Sequence, residues 1–410
     1  MGYGHQRTAF NLKEIGQIIN ANDYQGIPKK DRKIWEGTKK FYEFISNFKK
    51  TPFLGDFVFS IFDAFQKILS FYPKRDLSKP NLTLKNIYRF LKIGWGKNLI
   101  LKLKSENPKL PLISTFFTPA FMAEFFNYPG QIFLVVCDAD IARTWAPLNP
   151  AESKIKYFAP NQRVVERLKL YGVKKENIFL TGYPLPRELI GKEMEILKED
   201  LKLRILNLDP KKKYFEKYKG LIEEKLGKLP EKSDHPLTIM FSIGGAGAQK
   251  EIAIKILRSL KSEIKEGKIR AILSAGIREK VKKYFEKEIS KEQFSENVEI
   301  LYEEKIEDYF QKFNQKLRKT DILWTKPSEL SFYSALGIPI IIAPPIGSQE
   351  EFNKRYLLKS GFGLEQGNPK YANQWLLDWI KQGFLAEAAM EGFVEGEKLG
   401  SFKIEKIISK

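Results

Sequence analysis

Several groups of residues are suited to chemistry, and the first is a glycine-rich segment in the C-terminal half of the chain. Ser242 stands near the end of an apolar run, and the segment after it contains Gly244, Gly245, Ala246 and Gly247. Backbone N–H groups in such a turn, together with the dipole of a following helix, bind phosphate oxygens. Glycine allows the backbone to approach the phosphate closely. We therefore predict a diphosphate site here; a tight turn that binds nothing is the structural alternative.

Polar side chains follow two further apolar runs. The first group comprises Lys326, Ser328 and Glu329, and the second comprises Gln349, Glu350 and Asn353. Such side chains suit phosphate oxygens and sugar hydroxyls, and ligands bind at the carboxyl edge of an open parallel sheet. The alternative is helix capping, with Ser328 as the cap and Glu350 as a solvated acid in a first turn.

Two side chains are candidates for a general base. His5 follows Gly2, Tyr3 and Gly4, a pattern typical of a glycine turn that enters a helix, and Asp138 follows the apolar run from Phe133 to Cys137. An imidazole or a carboxylate can take the proton from an acceptor hydroxyl. His5 is one of only two histidines; the other, His235, falls in a predicted linker.

These residues must be positioned by strands that alternate with helices, a pattern that predicts parallel sheets. The predicted strands of the first half are 111–117, 131–137, 156–159 and 177–181. Those of the second half are 237–243, 271–274, 298–301, 322–325 and 338–343. The sequence thus predicts an α/β protein with two Rossmann-like, doubly wound domains facing a cleft.

The domain boundaries follow from this alternation and from the length of 410 residues, which exceeds what one core usually organises. Residues 1–230 form the predicted acceptor-binding domain, with a basic, aromatic helical insertion over about 28–110 and a linker over about 185–235. Residues 236–385 form the donor-binding domain, and 386–410 a segment that packs back on the first domain. The turn at Gly2 lacks the strand that normally precedes it, which predicts missing upstream residues.

The charge indicates an anionic partner. The net charge is +20, and residues 28–110 alone hold 19 Lys and Arg against 7 Asp and Glu. Apolar side chains rimmed by lysine suit an anionic membrane surface, so a docking loop is predicted at Lys49, Lys50, Phe53 and Leu54. The alternative is a set of amphipathic helices with core aromatics and solvated lysines. Nucleic acid is not predicted, because no recognised binding motif occurs.

The single cysteine, Cys137, excludes a disulfide within the chain and fits a reducing compartment. No apolar stretch reaches the roughly 18 residues that a spanning helix needs. We therefore expect a cytoplasmic protein, peripheral at the inner face of the membrane. The oligomeric state stays open.

The sequence resembles the B-type glycosyltransferases that include monogalactosyldiacylglycerol synthase and the N-acetylglucosaminyltransferase of lipid II synthesis. The resemblance is dense in four places: Gly2 to His5, Cys137 and Asp138 with Trp145, Ser242 to Gly247, and Lys326 to Asn353. It implies transfer of a hexose from a nucleoside-diphosphate sugar, a UDP-sugar, to a hydroxyl acceptor that is lipid-linked. The nucleotide-sugar donor is a co-substrate, and no cofactor is expected. No metal is expected to be required, because a lysine and helix dipoles can neutralise the leaving group.

The resemblance also implies roles for single residues. His5 would lie on the acceptor side, Asp138 would be the candidate base, and Gln349 and Asn353 would contact the donor sugar. The glutamate that holds the ribose in these families is replaced here by Phe332, and Glu329 is the nearest carboxylate. This departure removes the usual ribose contact, so the expectation of UDP rests on the remaining motifs and the identity of the donor nucleotide stays open.

Three alternatives stay open. Asp138-Ala139-Asp140 is the Asp-x-Asp pattern by which A-type glycosyltransferases bind a divalent metal, although the glycine turn of the second half has no place in that fold. A sugar-nucleotide epimerase of related architecture would convert the donor alone. A non-catalytic homologue would bind the donor without turnover.

Overall fold

The structure is a computed structural model, and it describes residues 2–37, 67–106, 108–242, 247, 249–294, 296–345 and 347–409. The chain divides into two compact units. The first consists of Met1–Pro184, Ile346–Phe352 and Leu399–Lys410, and the second of Leu185–Pro345 and Asn353–Lys398. Residues 185–235, predicted as the linker at the end of the first domain, thus belong to the second unit. The C-terminal segment 386–410 is divided between the units.

The first unit is built on a parallel four-stranded sheet in the order β1-β2-β3-β4. Its strands are β1 Leu112–Ser114, β2 Ile132–Val135, β3 Lys156–Ala159 and β4 Ile178–Leu180. Every residue of β2 is buried, which explains the continuous apolar run that predicted it. Its helices are Tyr3–Phe10, residues 29–37, Leu82–Lys92, Lys97–Glu106, Phe117–Phe125, Gln162–Leu170 and Gly400–Ile408.

The C-terminal helix Gly400–Ile408 covers one face of this first sheet. Ile404, which is fully buried, packs with Phe133, Val135 and Phe158, and Leu12 completes the cluster. Gly400 begins the helix, and a Cβ at this position would overlap the backbone carbonyl of Tyr183. Glycine therefore permits the close approach that brings the helix onto the sheet.

The second unit is built on a parallel six-stranded sheet in the order β10-β9-β8-β5-β6-β7. Its strands are β5 Leu237–Ser242, β6 Ile269–Gly276, β7 Val298–Tyr302, β8 Ile322–Thr325, β9 Ile340–Ile342 and β10 Gly363–Glu365. If these six strands are numbered 1 to 6 in chain order and read across the sheet from β7 to β10, their order is 3-2-1-4-5-6. This is the strand order of the Rossmann fold. The two parallel α/β sheets confirm the predicted fold class.

The second unit also contains helices, of which Ser348–Lys359 begins within the residues assigned to the first unit. They are Glu195–Leu208, Lys213–Leu226, Lys250–Ser259, Lys261–Lys265, Glu279–Glu292, Ile306–Leu317, Ser348–Lys359, Ala372–Gln382 and Phe384–Glu395. A 3₁₀-helix, Glu329–Leu336, connects β8 to β9. Within the described ranges, no helix combines the length and apolar character that a bilayer crossing requires.

The amino-terminal edge of the second sheet is held by a buried polar cluster around Asp321. Asp321 accepts hydrogen bonds from the backbone N–H of Thr238 (2.7 Å) and from the Asn207 amide (3.0 Å). His235 Nε2 lies 3.3 Å from the same carboxylate, and its Nδ1 lies 2.5 Å from Asp234. His235, predicted to lie in a linker, is therefore a fixed part of the second unit.

Candidate functional site

The candidate site lies where the strand order of the second sheet changes direction. β5 pairs with β6 on one side and with β8 on the other, so successive connections leave β5 toward opposite edges. Thr325 Oγ1, at the end of β8, donates a 3.0 Å hydrogen bond to the Ser242 carbonyl at the end of β5. In open α/β sheets ligands bind outside the carboxyl ends of the strands at such a switch point. The predicted glycine turn and Lys326 both follow strands that end here.

The loop after β9 is joined to the start of the helix that follows the glycine turn. Gln249 adopts the left-handed conformation, with φ 68°, and its side-chain amide donates a 2.7 Å hydrogen bond to the Pro344 carbonyl. Because β8 lies between β5 and β9 in the sheet, this bond spans the carboxyl end of β8. The segments around Gln249, Lys326 and Pro344 are therefore brought to one stretch of the sheet edge.

Only part of the glycine turn is described. Gly244, Gly245 and Ala246 lie outside the described residues, whereas Ser242 is buried at the end of β5. Gly247 has φ +67°, a conformation that side chains other than glycine rarely adopt. A Cβ on Gly247 would lie 3.1 Å from Val281 Cγ2 and 3.3 Å from Arg278 Cδ. Both its conformation and its neighbours thus favour glycine here.

Ser328 and Glu329 occupy the entry to the 3₁₀-helix. The Ser328 hydroxyl accepts a 3.4 Å hydrogen bond from the backbone N–H of Leu330. Ser328 therefore caps this helix, as the capping alternative predicted. Phe332, which stands where related families have the ribose glutamate, is buried and its ring centroid lies 5.5 Å from that of Tyr356. Residues three apart eclipse in a 3₁₀-helix, so Glu329 lies on the same side as Phe332, one turn earlier.

The predicted sugar-binding side chains lie in the helix Ser348–Lys359. Gln349 and Asn353 are four residues apart and therefore share one side of the helix. Asn353 is buried, whereas Gln349 and Glu350 are partly exposed. Their contact with a sugar stays a prediction.

His5 is held in a defined tautomer in the first unit. Its Nδ1 lies 2.7 Å from the Thr115 carbonyl, which can only accept, so Nδ1 carries the proton and Nε2 is left as an acceptor. Thr115 Oγ1 donates a 2.9 Å hydrogen bond to the His5 carbonyl. Burial lowers the pKa of His5 to about 4, against the opposing effect of the Thr115 carbonyl. The imidazole is therefore neutral at physiological pH.

Aromatic and thiol groups surround this imidazole. The His5 ring centroid lies 4.8 Å from that of Phe116 and 6.2 Å from that of Trp145. Cys137 Sγ lies 3.2 Å from His5 Nδ1. Since Asp138 follows Cys137 directly, the structure brings the two predicted base candidates to one region of the first unit. Asp138 is partly exposed.

The second aspartate of the Asp-x-Asp pattern has a structural role. Asp140 is buried and forms a two-point ion pair with Arg167, with both oxygen–nitrogen distances 2.8 Å. The Asp140 carboxylate also accepts a 2.9 Å hydrogen bond from the Ile141 backbone N–H. A carboxylate engaged in this way is a poor metal ligand, which argues against the A-type alternative. In the part of the chain that the structure describes, no group of three or more His, Cys, Asp or Glu could hold a metal ion.

The predicted docking loop, with Lys49, Lys50, Phe53 and Leu54, lies outside the described residues. The described part of the basic region contains the amphipathic helix Leu82–Lys92, which buries Leu84 and Leu91 and exposes its basic residues. Phe90 and Ile93, at its end, are 41% and 56% exposed. The aromatic residues of this region are therefore not all core.

Two residues near the switch point were not among the predicted site residues. They are Gln249, which joins the turn to the loop after β9, and Arg278, which lies against Gly247. Arg278 follows Gly276, at which β6 ends, so a cation just beyond a strand was a usable signal. The Gln249 bond joins residues 95 positions apart, and no local pattern predicts it.

One family model matches a stretch that lies mostly in the second unit. The family described as "Domain of unknown function (DUF6938)" matches residues 228–316 and 277–356. These ranges include the strands from β5 to β9 and the glycine turn.

The chain is also similar to the processive diacylglycerol beta-glucosyltransferase of Bacillus licheniformis. The two are 23% identical over 286 residues, which are 68% of this chain and 61% of the relative. The chain thus matches about three fifths of the length of this curated relative. The resemblance to lipid-acting glycosyltransferases, predicted from the motifs, is confirmed.

Solved structures give weaker likenesses. The co-structure of S. aureus MnaA with UDP is 15% identical with a TM-score of 0.47, covering 87% of this chain and 85% of that chain. Acinetobacter baumannii MurG is 14% identical with a TM-score of 0.47, covering 78% of each chain.

Proposed function

We propose that this protein is a glycosyltransferase that moves a hexose from a UDP-sugar to the hydroxyl group of a lipid-linked acceptor. The observation that carries the proposal is that the ends of β5 and β8, which precede the glycine segment and Lys326 in the sequence, and the Gln249–Pro344 bond lie at the switch point of a Rossmann-ordered sheet. The similarity to a diacylglycerol glucosyltransferase supports the same reaction class and an acceptor of lipid character.

The diphosphate and the ribose of the donor are held at the second unit in this proposal. Amides of the turn from Gly244 to Gly247 and the ammonium of Lys326 bind the diphosphate, since oriented N–H groups and a cation both stabilise phosphate oxygens. Glu329 accepts hydrogen bonds from the ribose hydroxyls. It thereby replaces the glutamate that related families have at the position of Phe332. Gln349, Glu350 and Asn353 bind the hexose.

The reaction needs a base at the acceptor oxygen. As that oxygen bonds to the anomeric carbon, its proton passes to the base and the carbon–oxygen bond to the diphosphate breaks. His5 suits this role because its Nε2 is an unprotonated acceptor and its low pKa keeps the ring neutral. The aromatic rings of Phe116 and Trp145 beside it suit an acceptor with an apolar part. Asp138 is the second candidate base.

The leaving diphosphate requires neutralisation, and we propose that the lysine and the amide dipoles provide it without a metal. Activity should then persist in excess EDTA. Loss of activity in EDTA that added Mg²⁺ or Mn²⁺ restores would contradict this part of the proposal.

The lipid acceptor places the protein at an anionic membrane surface on the cytoplasmic side. The exposed Phe90 and Ile93, with basic neighbours on the helix Leu82–Lys92, support a surface of this kind. We expect Phe90→Ser with Ile93→Ser, and separately Lys49→Glu with Lys50→Glu, to reduce co-sedimentation with phosphatidylglycerol vesicles. Unchanged binding of both double variants would refute docking through this region.

The central test has two stages. Thermal-shift measurements with UDP-, GDP-, TDP- and ADP-sugars identify the donor, and we expect the UDP-sugar to stabilise the protein. The stabilising sugar nucleotide, labelled in the hexose, is then incubated with diacylglycerol in anionic vesicles. Transfer of label to the lipid is expected. Conversion of the donor without acceptor would instead indicate an epimerase, and binding without any turnover would indicate a non-catalytic homologue.

The two base candidates are separated by matched variants. His5→Gln and Asp138→Asn each remove a basic group with little change in size. The variant that lacks the base should lose roughly 100- to 10,000-fold in turnover while retaining donor affinity. Equal loss of turnover and donor affinity would indicate a structural role for the substituted residue.

A further inference from the structure

A short turn at the end of β1 lies beside the His5 ring. The Ser114 hydroxyl donates a 2.5 Å hydrogen bond to the Phe116 carbonyl and accepts one of 3.3 Å from the Phe116 backbone N–H. Ser114 and Thr115 are buried, whereas Phe116 is partly exposed, with its ring centroid 4.8 Å from that of His5. The backbone at residue 115 is therefore held in place by its two neighbours.

Two hydrogen bonds join Thr115 to His5 in opposite directions. The first runs from Nδ1 of the ring to the Thr115 carbonyl (2.7 Å), and the second runs from Thr115 Oγ1 to the His5 carbonyl (2.9 Å). The first bond restrains the ring, and the second restrains the backbone of the same residue. The ring and the helical turn that carries it are thus tied to one residue at the end of β1.

The Thr115 hydroxyl acts on the first turn of the helix Tyr3–Phe10. The N-cap of this helix is Gly2, which has no side chain with which to cap that turn. His5 lies in the first turn, so the bond from Thr115 Oγ1 ties the turn to the sheet from outside the helix. Loss of this bond should let the first turn, and with it the imidazole, move away from the Thr115 carbonyl.

We propose that Thr115 is a positioning residue for the proposed base, His5: its carbonyl sets the tautomer of the ring, and its hydroxyl holds the turn that carries the ring. This inference rests on the proposed function and adds a residue that the sequence motifs do not include. A neutral imidazole has one nitrogen that donates and one that accepts. When Nδ1 donates to the Thr115 carbonyl, Nε2 is the nitrogen that can take the proton of the acceptor hydroxyl.

The orienting group is a carbonyl and carries no net charge. A carboxylate at this position would favour the protonated imidazole, whereas the carbonyl does not outweigh the effect of burial, which lowers the pKa of His5 to about 4. The proposed base therefore stays in its proton-accepting form across the neutral pH range. Thr115 thus fixes the orientation of the ring without charging it.

A purely structural role of the Thr115 hydroxyl is the competing explanation. Thr115→Val retains the shape of the side chain and removes the hydroxyl, whereas Thr115→Ser retains the hydroxyl. Thr320→Val is the matched control, because Thr320 is buried in the second unit and its Oγ1 donates a 2.8 Å hydrogen bond to the Lys316 carbonyl. The control loses a bond of the same kind that does not involve His5.

The experiment combines kinetics with NMR on the full chain. Steady-state transfer of glucose from UDP-glucose to diacylglycerol in phosphatidylglycerol vesicles gives kcat and KM, and imidazole ¹⁵N shifts give the tautomer. Loss of one hydrogen bond predicts that Thr115→Val lowers kcat roughly 3- to 10-fold, with KM for UDP-glucose unchanged and with both tautomers of His5 populated. Thr115→Ser should restore kcat to within about twofold of the wild type, and Thr320→Val should keep the wild-type kcat and tautomer.

Three outcomes would refute the positioning role. They are a Thr115→Val variant with the wild-type tautomer and nearly unchanged kcat, a fall in kcat without any change of tautomer, and an equal fall in kcat for Thr320→Val. If the wild type transfers no hexose from UDP-glucose or from the other sugar nucleotides, the proposed function itself fails. The nitrogen shifts then still decide whether Thr115 sets the tautomer: two tautomers in Thr115→Val support it, and one refutes it.

Discussion

The two histidines should titrate in opposite directions, and this prediction tests the packing of both units. Burial lowers the pKa of His5 to about 4. Burial also disfavours the charged form of His235, but hydrogen bonds and charges of Asp321 and Asp234 outweigh it and raise the pKa of His235 above 6.5. At a pH slightly above 6, His5 should thus be neutral and His235 protonated.

The magnitude for His5 follows from linkage. Between pH 6.5 and about 4 the unfolded chain binds a proton at this position that the folded chain does not bind, so the free energy of unfolding falls as the pH falls. The shift corresponds to about 2 to 3 kcal/mol, the lower figure allowing for partial contact of the ring with solvent. His235 has the opposite sign: its stabilisation is complete below pH 6.5 and is lost as the pH rises through its folded pKa.

The measurement is a ¹H–¹⁵N NMR titration of the imidazole signals from pH 4 to 9. Because the chain has two histidines, His5→Gln and His235→Gln assign both signals. Urea unfolding over the same range gives the stability. His5→Gln should flatten its pH dependence between pH 6.5 and 4, whereas His235→Gln should leave that slope in place.

The nitrogen shifts also test the tautomer. We expect His5 Nδ1 to be protonated and Nε2 unprotonated above pH 5, since Nδ1 donates to the Thr115 carbonyl. A His5 signal that titrates near pH 6.5, or one with the proton on Nε2, would refute the described packing and weaken His5 as a base.

Two further predictions concern stability. Arg167→Met leaves Asp140 buried without its ion-pair partner and should lower the free energy of unfolding by about 3 to 5 kcal/mol. A loss below about 1 kcal/mol in urea unfolding would contradict the described pair. Ile404→Ala should lower the free energy of unfolding by about 2 to 5 kcal/mol, because the side chain of Ile404 is fully buried. Lys406 is exposed, so Lys406→Ala should change this free energy by less than about 0.5 kcal/mol. Equal effects of the two substitutions in thermal melts would refute the packing of this helix.

The sequence predicts the buried strands best. β3 and β8 agree with their predicted bounds to the residue, because each is a short apolar run between turn residues. β10 was not predicted, since only one of its three residues is buried and it carries no apolar run. The predicted strand 111–117 is too long: it ends at Ser114, and Phe117 begins a helix, because adjacent aromatic residues suit either element.

The site is predictable in its local parts. A strand, a glycine turn and a following helix form one contiguous pattern, so the strand that ends at Ser242 and the helix that begins at Lys250 could be placed from the sequence. The position of Arg278 against Gly247 depends on the pairing of β5 with β6, and His235 finds Asp321 86 residues away. Contacts of this kind arise from sheet order, which a single sequence does not encode locally.

The helix Gly400–Ile408 sets an order for folding during synthesis. The ribosome produces Leu12 and β1 to β4 early, yet the cluster of Phe133, Val135 and Phe158 stays incomplete until Ile404 emerges, after the whole second unit. The sheet of the second unit is complete by then, so the second unit can fold before the first. Nascent chains therefore carry a partly covered hydrophobic surface while the second unit is being made, a natural binding site for chaperones.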